Sequence, residues 1–502
     1  MSSGEGGLYR SRLGKKMDED ALSYLSSLNE DREIFLEDVE GTEAHVIMLC
    51  EQGILANNEA KQILRALEDL KKKIISGEIE LKGDFEDVHE FVESYVISRV
   101  GMEIGGKVHS GRSRNDQVAL DIRLRLRRYI LETWRESLKL AEALLSKAEK
   151  KKEALVLHYT HLQQAQVGYL SHYLLSHLDH LLRDLKRLEE CYHRVNRSPL
   201  GACAIAGSTL PLNRDRIAEL LGFEDVVENS IDAVSSRDFA LEAVSAATIM
   251  MVNLSRIAED LIIWSSSEFG YIELPDDLAS PSSVMPHKKN PCILELLRAK
   301  AGKSIGLLTS LLTMTKGIPT GYDRDLQEEK PVIWEAFKET RDSIRILAKV
   351  IEKMDFKDER AYEAAAQSFA PAIELAEALI KHSKLSLREA HRLVGALVAE
   401  LHKSGLMLRD SSLKLLNELA ERVLGRKIDF PEDVFARIID ASEVPSFRET
   451  KGASSIGEVE KMIENRRKRI EEARDSLRNI LKNLRNSKEK FENSLEKFLN
   501  PA

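Results

Sequence analysis

VALDIRLRLRRYILETWRESLKLAEALL, residues 118–145, decides the fold. Val118, Ile122, Leu126, Ile130, Trp134, Leu138, Ala141 and Leu145 recur at three- and four-residue steps, which lays one apolar stripe along a long helix. Two more stripes follow. Leu170, Leu174, Leu178, Leu181, Leu185, Leu188, Tyr192 and Val195 give the second, and Ala240, Val244, Ala247, Met251, Leu254, Ala258 and Leu261 the third. Further helices are expected at about 292–314 and 330–353. Helices this long, with no alternating β-branched strands between them, bury their stripes against one another. The expected fold is therefore all-α, three helical regions with a central long-helix bundle.

The expected divisions are an N-terminal helical domain over residues 1–110, closed by the glycine-rich MEIGGKVHSG, a central bundle domain over 111–355, and a C-terminal helical domain over 356–502. The last carries an extended charged helical tail. In that tail Ile456, Ile463, Ile470, Leu477, Leu484, Phe491 and Phe498 stand seven apart, so one apolar column runs down a helix. Arg466, Ser487 and Ser494 occupy positions that a coiled coil fills with apolar residues. The column is thus expected to pack on its own fold or a sister subunit.

Composition excludes several function classes. The 502-residue chain is 43% hydrophobic and 31% charged, ordinary for a helix-rich soluble protein, and its net charge of -9 leaves no dominant basic face for nucleic acid or an anionic membrane. The opening MSSGEGGLYRSRLGKK lacks the apolar centre of a signal peptide, and no run of 18 apolar residues exists, so a cytoplasmic location is expected. Cys50, Cys191, Cys203 and Cys292 form no CxxC pair, and the histidines form no HExxH pattern. Neither a disulfide framework nor a zinc site is expected.

Four polar patches stand at helix ends. HSGRSRNDQ, residues 109–117, opens the first long helix, where Arg114 suits bidentate capture of a carboxylate, or serves as a surface arginine beside an N-cap box. YTHLQQAQ, residues 159–166, precedes the second and offers His161 as a general acid or base, or as a merely hydrogen-bonded histidine. GYDRDLQEEK, residues 321–330, presents Tyr322, Arg324, Gln327 and Lys330 in a turn before a helix.

The fourth patch is SPSSVMPHKKNP, residues 280–291, whose three prolines make it a loop. Asn290 and Pro291 suit an N-cap and first helical position. Helix amides and Lys288 would make the loop interior electropositive, favouring a serine alkoxide, while Glu295, one turn into the helix, suits orienting a histidine from elsewhere. All four patches suit carboxylates, and none carries a nucleotide fingerprint.

SSVMPHKKNP resembles the signature loop of the fumarase, aspartase and argininosuccinate lyase superfamily, whose members eliminate fumarate from a succinyl-bearing substrate. HSGRSRNDQVALD, YTHLQQAQ, AVSSRDFALE and GYDRDLQEEK, together with EDVHEFVE at 86–93 and LREAHRLVG at 387–395, resemble its argininosuccinate lyase family over roughly residues 20–457. The resemblance implies Ser282 as the base that removes the proton beside a carboxylate, Lys288 and Asn290 as stabilisers of the aci-carboxylate, and His161 paired with Glu295 as the proton donor to the leaving nitrogen. Ser27, His89, Ser113, Arg114, Asn115, Thr160, Arg237, Tyr322, Gln327 and Lys330 match positions that hold substrate.

The implied reaction splits argininosuccinate into arginine and fumarate, the last step of arginine biosynthesis, with no cofactor or metal. The family fold is a homotetramer whose active sites each draw on three subunits. Pro281 and Asp323 depart from the family's usual glycine and asparagine, TKGASS at 450–455 matches only loosely, and the tail beyond about 458 is longer than usual. Two other readings stand beside this one. They are another fumarate-releasing lyase of the adenylosuccinate lyase or aspartase type, and a non-enzymatic structural protein of the same fold.

Overall fold

The computed structural model of the protein describes residue 12 and residues 15–500. The first eleven residues, most of the segment that lacks a signal-peptide core, lie outside the described part, as do residues 501–502. The N-terminal region contains α1 (Phe35–Glu51), α2 (Asn57–Ile75) and α3 (Val88–Val100), packed in sequence on one another. The 118–145 stripe lies in α4 (Arg114–Lys150), 37 residues and so about 55 Å long. Its start is fixed locally: Ser113 Oγ accepts from the Asn115 amide at 3.3 Å, and Asp116 Oδ1 accepts from the Ser113 amide at 2.8 Å.

Between α4 and α5 (Leu170–Val195) the chain makes the antiparallel hairpin β1 (Leu155–Thr160) and β2 (Gln163–Tyr169). The patch YTHLQQAQ, expected as an approach to a helix, is therefore the end of a strand pair. The bundle continues through α6 (Asp238–Trp264), then the two-residue strands β3 (Ser280–Pro281) and β4 (Lys289–Asn290), then α7 (Cys292–Thr315) and α8 (Glu329–Lys353). Helices α4 to α8 pack on one another, and every residue of the α4 stripe is buried, Trp134 completely. The fold is all-α, decorated by short strand pairs.

After the bundle, α9 (Ala372–Ser383), α10 (Leu387–Lys403), α11 (Leu413–Leu424) and α12 (Glu432–Ile439) surround a separate apolar core running from Leu375 to Ile438. The final helix, α13 (Ile456–Leu499), returns to the main core and packs along α4, α5 and α2. Of its column, Ile463, Ile470, Leu477 and Phe491 are buried, and Ile456, Leu484 and Phe498 half-buried. The polar companion positions meet polar or tight partners: Arg466 holds Asp179 of α5 through two hydrogen bonds of 3.0 and 2.7 Å, and Ser487 lies against Gly222, where any side chain would crowd it. That is why a heptad column without an apolar companion packs here on its own bundle. Among the described residues no helix is long and apolar enough to cross a membrane.

Candidate active site

The loop at 280–291 is a small hairpin. Ser280 pairs with Asn290 and Pro281 with Lys289, an edge position that tolerates a proline. Because Asn290 is engaged in this ladder, the N-cap of α7 falls on Pro291, one residue later than expected. Ser282 is half-buried, and its Oγ accepts from the amides of Met285 at 3.0 Å and Val284 at 3.3 Å. These donors favour an oxygen anion at that atom. Lys288 and Glu295 present their side chains to solvent, whereas Lys289 is structural, donating to the Leu274 carbonyl at 2.8 Å and pairing with Glu273 and Asp276.

His161 occupies the tip of the β1–β2 hairpin. His161 and Leu162 both adopt left-handed backbone, φ 55° and 57°, which is the conformation a two-residue turn requires. Thr160 and His161 are exposed, and within one protomer His161 and Glu295 share no hydrogen bond. The histidine and its expected partner are both presented outward.

The remaining residues fall into several hydrogen-bonded clusters. Lys330, the second residue of α8, is buried and reaches Ser27 Oγ at 3.1 Å and the Asp31 carboxylate; Ser27 Oγ also donates to Asp31 at 2.8 Å. Gln327 donates to the Leu25 carbonyl at 3.1 Å. Arg114 lies among three carboxylates at the start of α3, 3.0 Å from Glu86, 3.1 Å from Asp87 and 3.8 Å from Glu90. Arg324 donates to the same Glu86 oxygen and also to the Leu25 carbonyl at 3.2 Å. Burial raises the Glu86 carboxyl's pKa, but Arg114 and Arg324 outweigh it and hold the group below its ordinary value. Asn115 donates to the Ala204 carbonyl at 2.9 Å, and Ser113, which precedes Arg114, is the N-cap of α4.

His89 places its Nδ1 2.7 Å from Asp38 Oδ1. Burial lowers its basicity, yet Asp38, Asp87 and Asp31 more than compensate, so the ring holds its proton above the ordinary range. Asp121, 3.7 Å from the same ring, is driven well up by burial and by Asp38. Asp38, His89 and Asp121 are the one grouping of possible metal ligands among the described residues. Its closest approach is already a hydrogen bond, and Gln117 gives Asp38 a second at 3.3 Å. Arg237 is buried at the start of α6, with Tyr322 beside both it and Lys330.

One chain thus joins Ser27 and Lys330 through Asp31 and Arg114 with Arg324 through Glu86, sets His89 on Asp38 and Gln327 on the Leu25 carbonyl, and leaves the Ser282 loop and the His161 tip outside these contacts. Sequence reasoning misses the acidic partners Asp31, Asp38, Glu86 and Asp87. EDVH contains two of them, but a carboxylate 299 residues from its lysine has no spacing to betray it. Because Asp31 is fully buried, Lys330→Met strands a charge, and a stability loss of about 3–5 kcal/mol is expected in urea unfolding. An unchanged midpoint would show that Asp31 does not depend on Lys330.

Comparison with known proteins places this geometry. The family described as Lyase matches residues 12–306, and that described as Argininosuccinate lyase C-terminal matches residues 369–444. An argininosuccinate lyase from Nitrosopumilus maritimus (strain SCM1) is 42% identical over 92% of this chain and 94% of its own length. One from Methanosarcina barkeri (strain Fusaro) is 44% identical over 84% of each. The crystal structure of EDDS lyase in complex with formate superposes with a TM-score of 0.87 at 29% identity, covering 95% of both chains. Since the matches take in the N-terminal region, the bundle and the separate C-terminal core alike, the chain belongs to the argininosuccinate lyase family.

Proposed function

We propose that the protein is a carbon–nitrogen lyase that converts argininosuccinate reversibly to arginine and fumarate, serving arginine biosynthesis in the cytoplasm. The observation that carries this reading is identity of 42% to an argininosuccinate lyase along nearly the whole of both chains. Ser282 removes the proton from the carbon next to a succinyl carboxylate. The electron pair spreads into that carboxylate as an aci form, opposed by Lys288 and Asn290. As the carbon–nitrogen bond breaks, the nitrogen keeps the bonding pair and takes a proton from His161, while the carbanion's pair closes the double bond of fumarate. The amides of Val284 and Met285 on Ser282 Oγ support the base assignment, because donors aimed at a developing alkoxide lower the cost of forming it.

Ser27, His89, Ser113, Arg114, Asn115, Thr160, Arg237, Tyr322, Gln327 and Lys330 hold the substrate. The working unit is a homotetramer with composite sites, in which the outward-facing His161 and Glu295 meet across subunits. A surface on α7 supports this. Gly302 and Gly306 sit mid-helix, and a side chain at either would meet only open space within the protomer. Glycine there weakens the helix without serving internal packing, whereas a helix from another copy could approach closely.

The test is fumarate release by the purified chain from argininosuccinate, adenylosuccinate, aspartate, malate and the substrate of EDDS lyase. Argininosuccinate is expected to be the preferred source by a wide margin. Fumarate from adenylosuccinate alone would replace the proposal with another lyase of the superfamily, and none from any substrate would favour a structural role.

A further inference from the structure

Glu329, the first residue of α8, is fully buried against the guanidinium of Arg237, Nε to Oε2 at 3.4 Å. The hydroxyl of Thr315, the last residue of α7, shares its one proton between the other carboxylate oxygen at 3.0 Å and the Leu311 carbonyl at 2.8 Å. Arg237 Nη1 is fixed separately, donating to the carbonyls of Ser236 at 2.8 Å and Val234 at 3.1 Å. Three helix ends thus converge on one guanidinium. Its Nε and Nη2, and Glu329 Oε2, make no hydrogen bond among the described residues.

A buried ion pair with donors left over is a poor stabilising device, since apolar residues of similar volume would commonly do as well or better. Unfilled buried donors call for a reason, and here they lie on an arginine whose neighbour Tyr322 also faces Lys330. Adjacent residues of one motif divide the work: Lys330 turns to Ser27 and Asp31, and Glu329 turns to Arg237. We infer that Glu329, steadied by Thr315, is a positioning residue that aims the Arg237 guanidinium at bound substrate without touching the substrate itself. This rests on the proposed cleavage of argininosuccinate and names what keeps one of its binding residues in place.

The charged groups around the pair are few. Arg237 faces Glu329 from the start of α6, Tyr322 faces Arg237 from the preceding loop, and Arg123 of α4 is the other cation coupled to Arg237. Burial pushes the Glu329 carboxyl up to about 7, against the smaller pull of Arg237 and Thr315. The carboxylate therefore gains its charge, and its hold on Arg237, as pH rises through that value. On acidification the hold weakens.

Glu329→Gln removes the charge at constant shape, and KM is expected to rise by about tenfold or more while kcat stays within about threefold. In the wild type KM should increase as pH falls from about 8 to about 6, and in the variant that dependence should vanish. Glu329→Asp, which keeps the charge, should recover part of the loss, and Thr315→Val should raise KM by a smaller factor. Unchanged KM with an unchanged pH profile, or loss confined to kcat, overturns the inference; should the glutamine variant fail to fold, Thr315→Val decides the matter through the same two readouts. A crystal structure of the folded variant separates this inference from the functional reading. Arg237 unmoved there refutes positioning whatever the substrate, whereas no fumarate from argininosuccinate with the wild type refutes only the functional reading.

Discussion

Ser282→Ala is expected to lower kcat for fumarate release by about a thousandfold or more, with secondary structure, thermal midpoint and oligomeric mass unchanged. The size follows from the step removed. A carbon-bound proton next to a carboxylate is hard to take, and no other acid or base in the loop 280–291 has its reactive atom bracketed by two backbone amides as Ser282 Oγ has. The unchanged fold follows from location. Ser282 is half-buried on a loop whose tip is open to solvent, with Val284 84% exposed, and the small ladder of Ser280 and Pro281 with Asn290 and Lys289 does not use its side chain. Water can replace the acceptor that Val284 and Met285 lose. Near-normal turnover in the variant would remove Ser282 as the base and turn the search to another group reaching the loop from a neighbouring subunit.

The contrast between that loop and the rest of the site explains what could be read from sequence. The three apolar stripes became α4, α5 and α6 because a 3.6-residue period sustained over seven or eight positions admits one regular structure. The α13 column was equally legible, and its polar companions pointed to packing on its own fold or a sister subunit; Arg466 on Asp179 shows the first of these. The hairpin was not legible. A two-residue turn with left-handed backbone usually announces itself by asparagine or glycine, and here His161 and Leu162 adopt it instead. Nor did the prolines of the loop reveal that Pro281 sits in a strand pair.

The cationic motifs were visible as cations, but their partners were not. Arg114 and Arg324 come from patches more than 200 residues apart and share the single carboxylate of Glu86, and only the folded chain can specify that. The same limit applied to Arg237 and Glu329, which belong to separate motifs with no spacing to join them. Periodicity encodes which face of an element is buried; it does not encode which buried charge meets which.

A chain that presents Thr160, His161, Lys288 and Glu295 to solvent should lose activity when it is kept from its copies. Ile305 and Leu312 lie seven residues apart on the α7 face that also carries Gly302, Gly306 and Thr309, and each is about half exposed, 49% and 48%. An apolar pair of this kind flanked by glycines suits burial between chains and contributes nothing to the protomer's own core. Ile305→Asp combined with Leu312→Asp places two carboxylates there. In a lone chain they are solvated and nearly without cost. Between copies each would be desolvated without a partner, a penalty of several kcal/mol per charge and per interface. The expected result by light scattering is a fall from the proposed tetramer toward the single 56.7 kDa chain, with helical content retained and fumarate release below about one per cent of wild type. The activity loss has a specific cause: His161 and Glu295 are both exposed within one chain, and the contacts of Ser282 Oγ are the Val284 and Met285 amides of its own loop. A dissociated chain that still releases fumarate at the wild-type rate would mean that one protomer completes a site by itself, and the composite arrangement would have to be abandoned. A tetramer that survives both substitutions would instead move the interface to another face and leave Gly302 and Gly306 without a physical account.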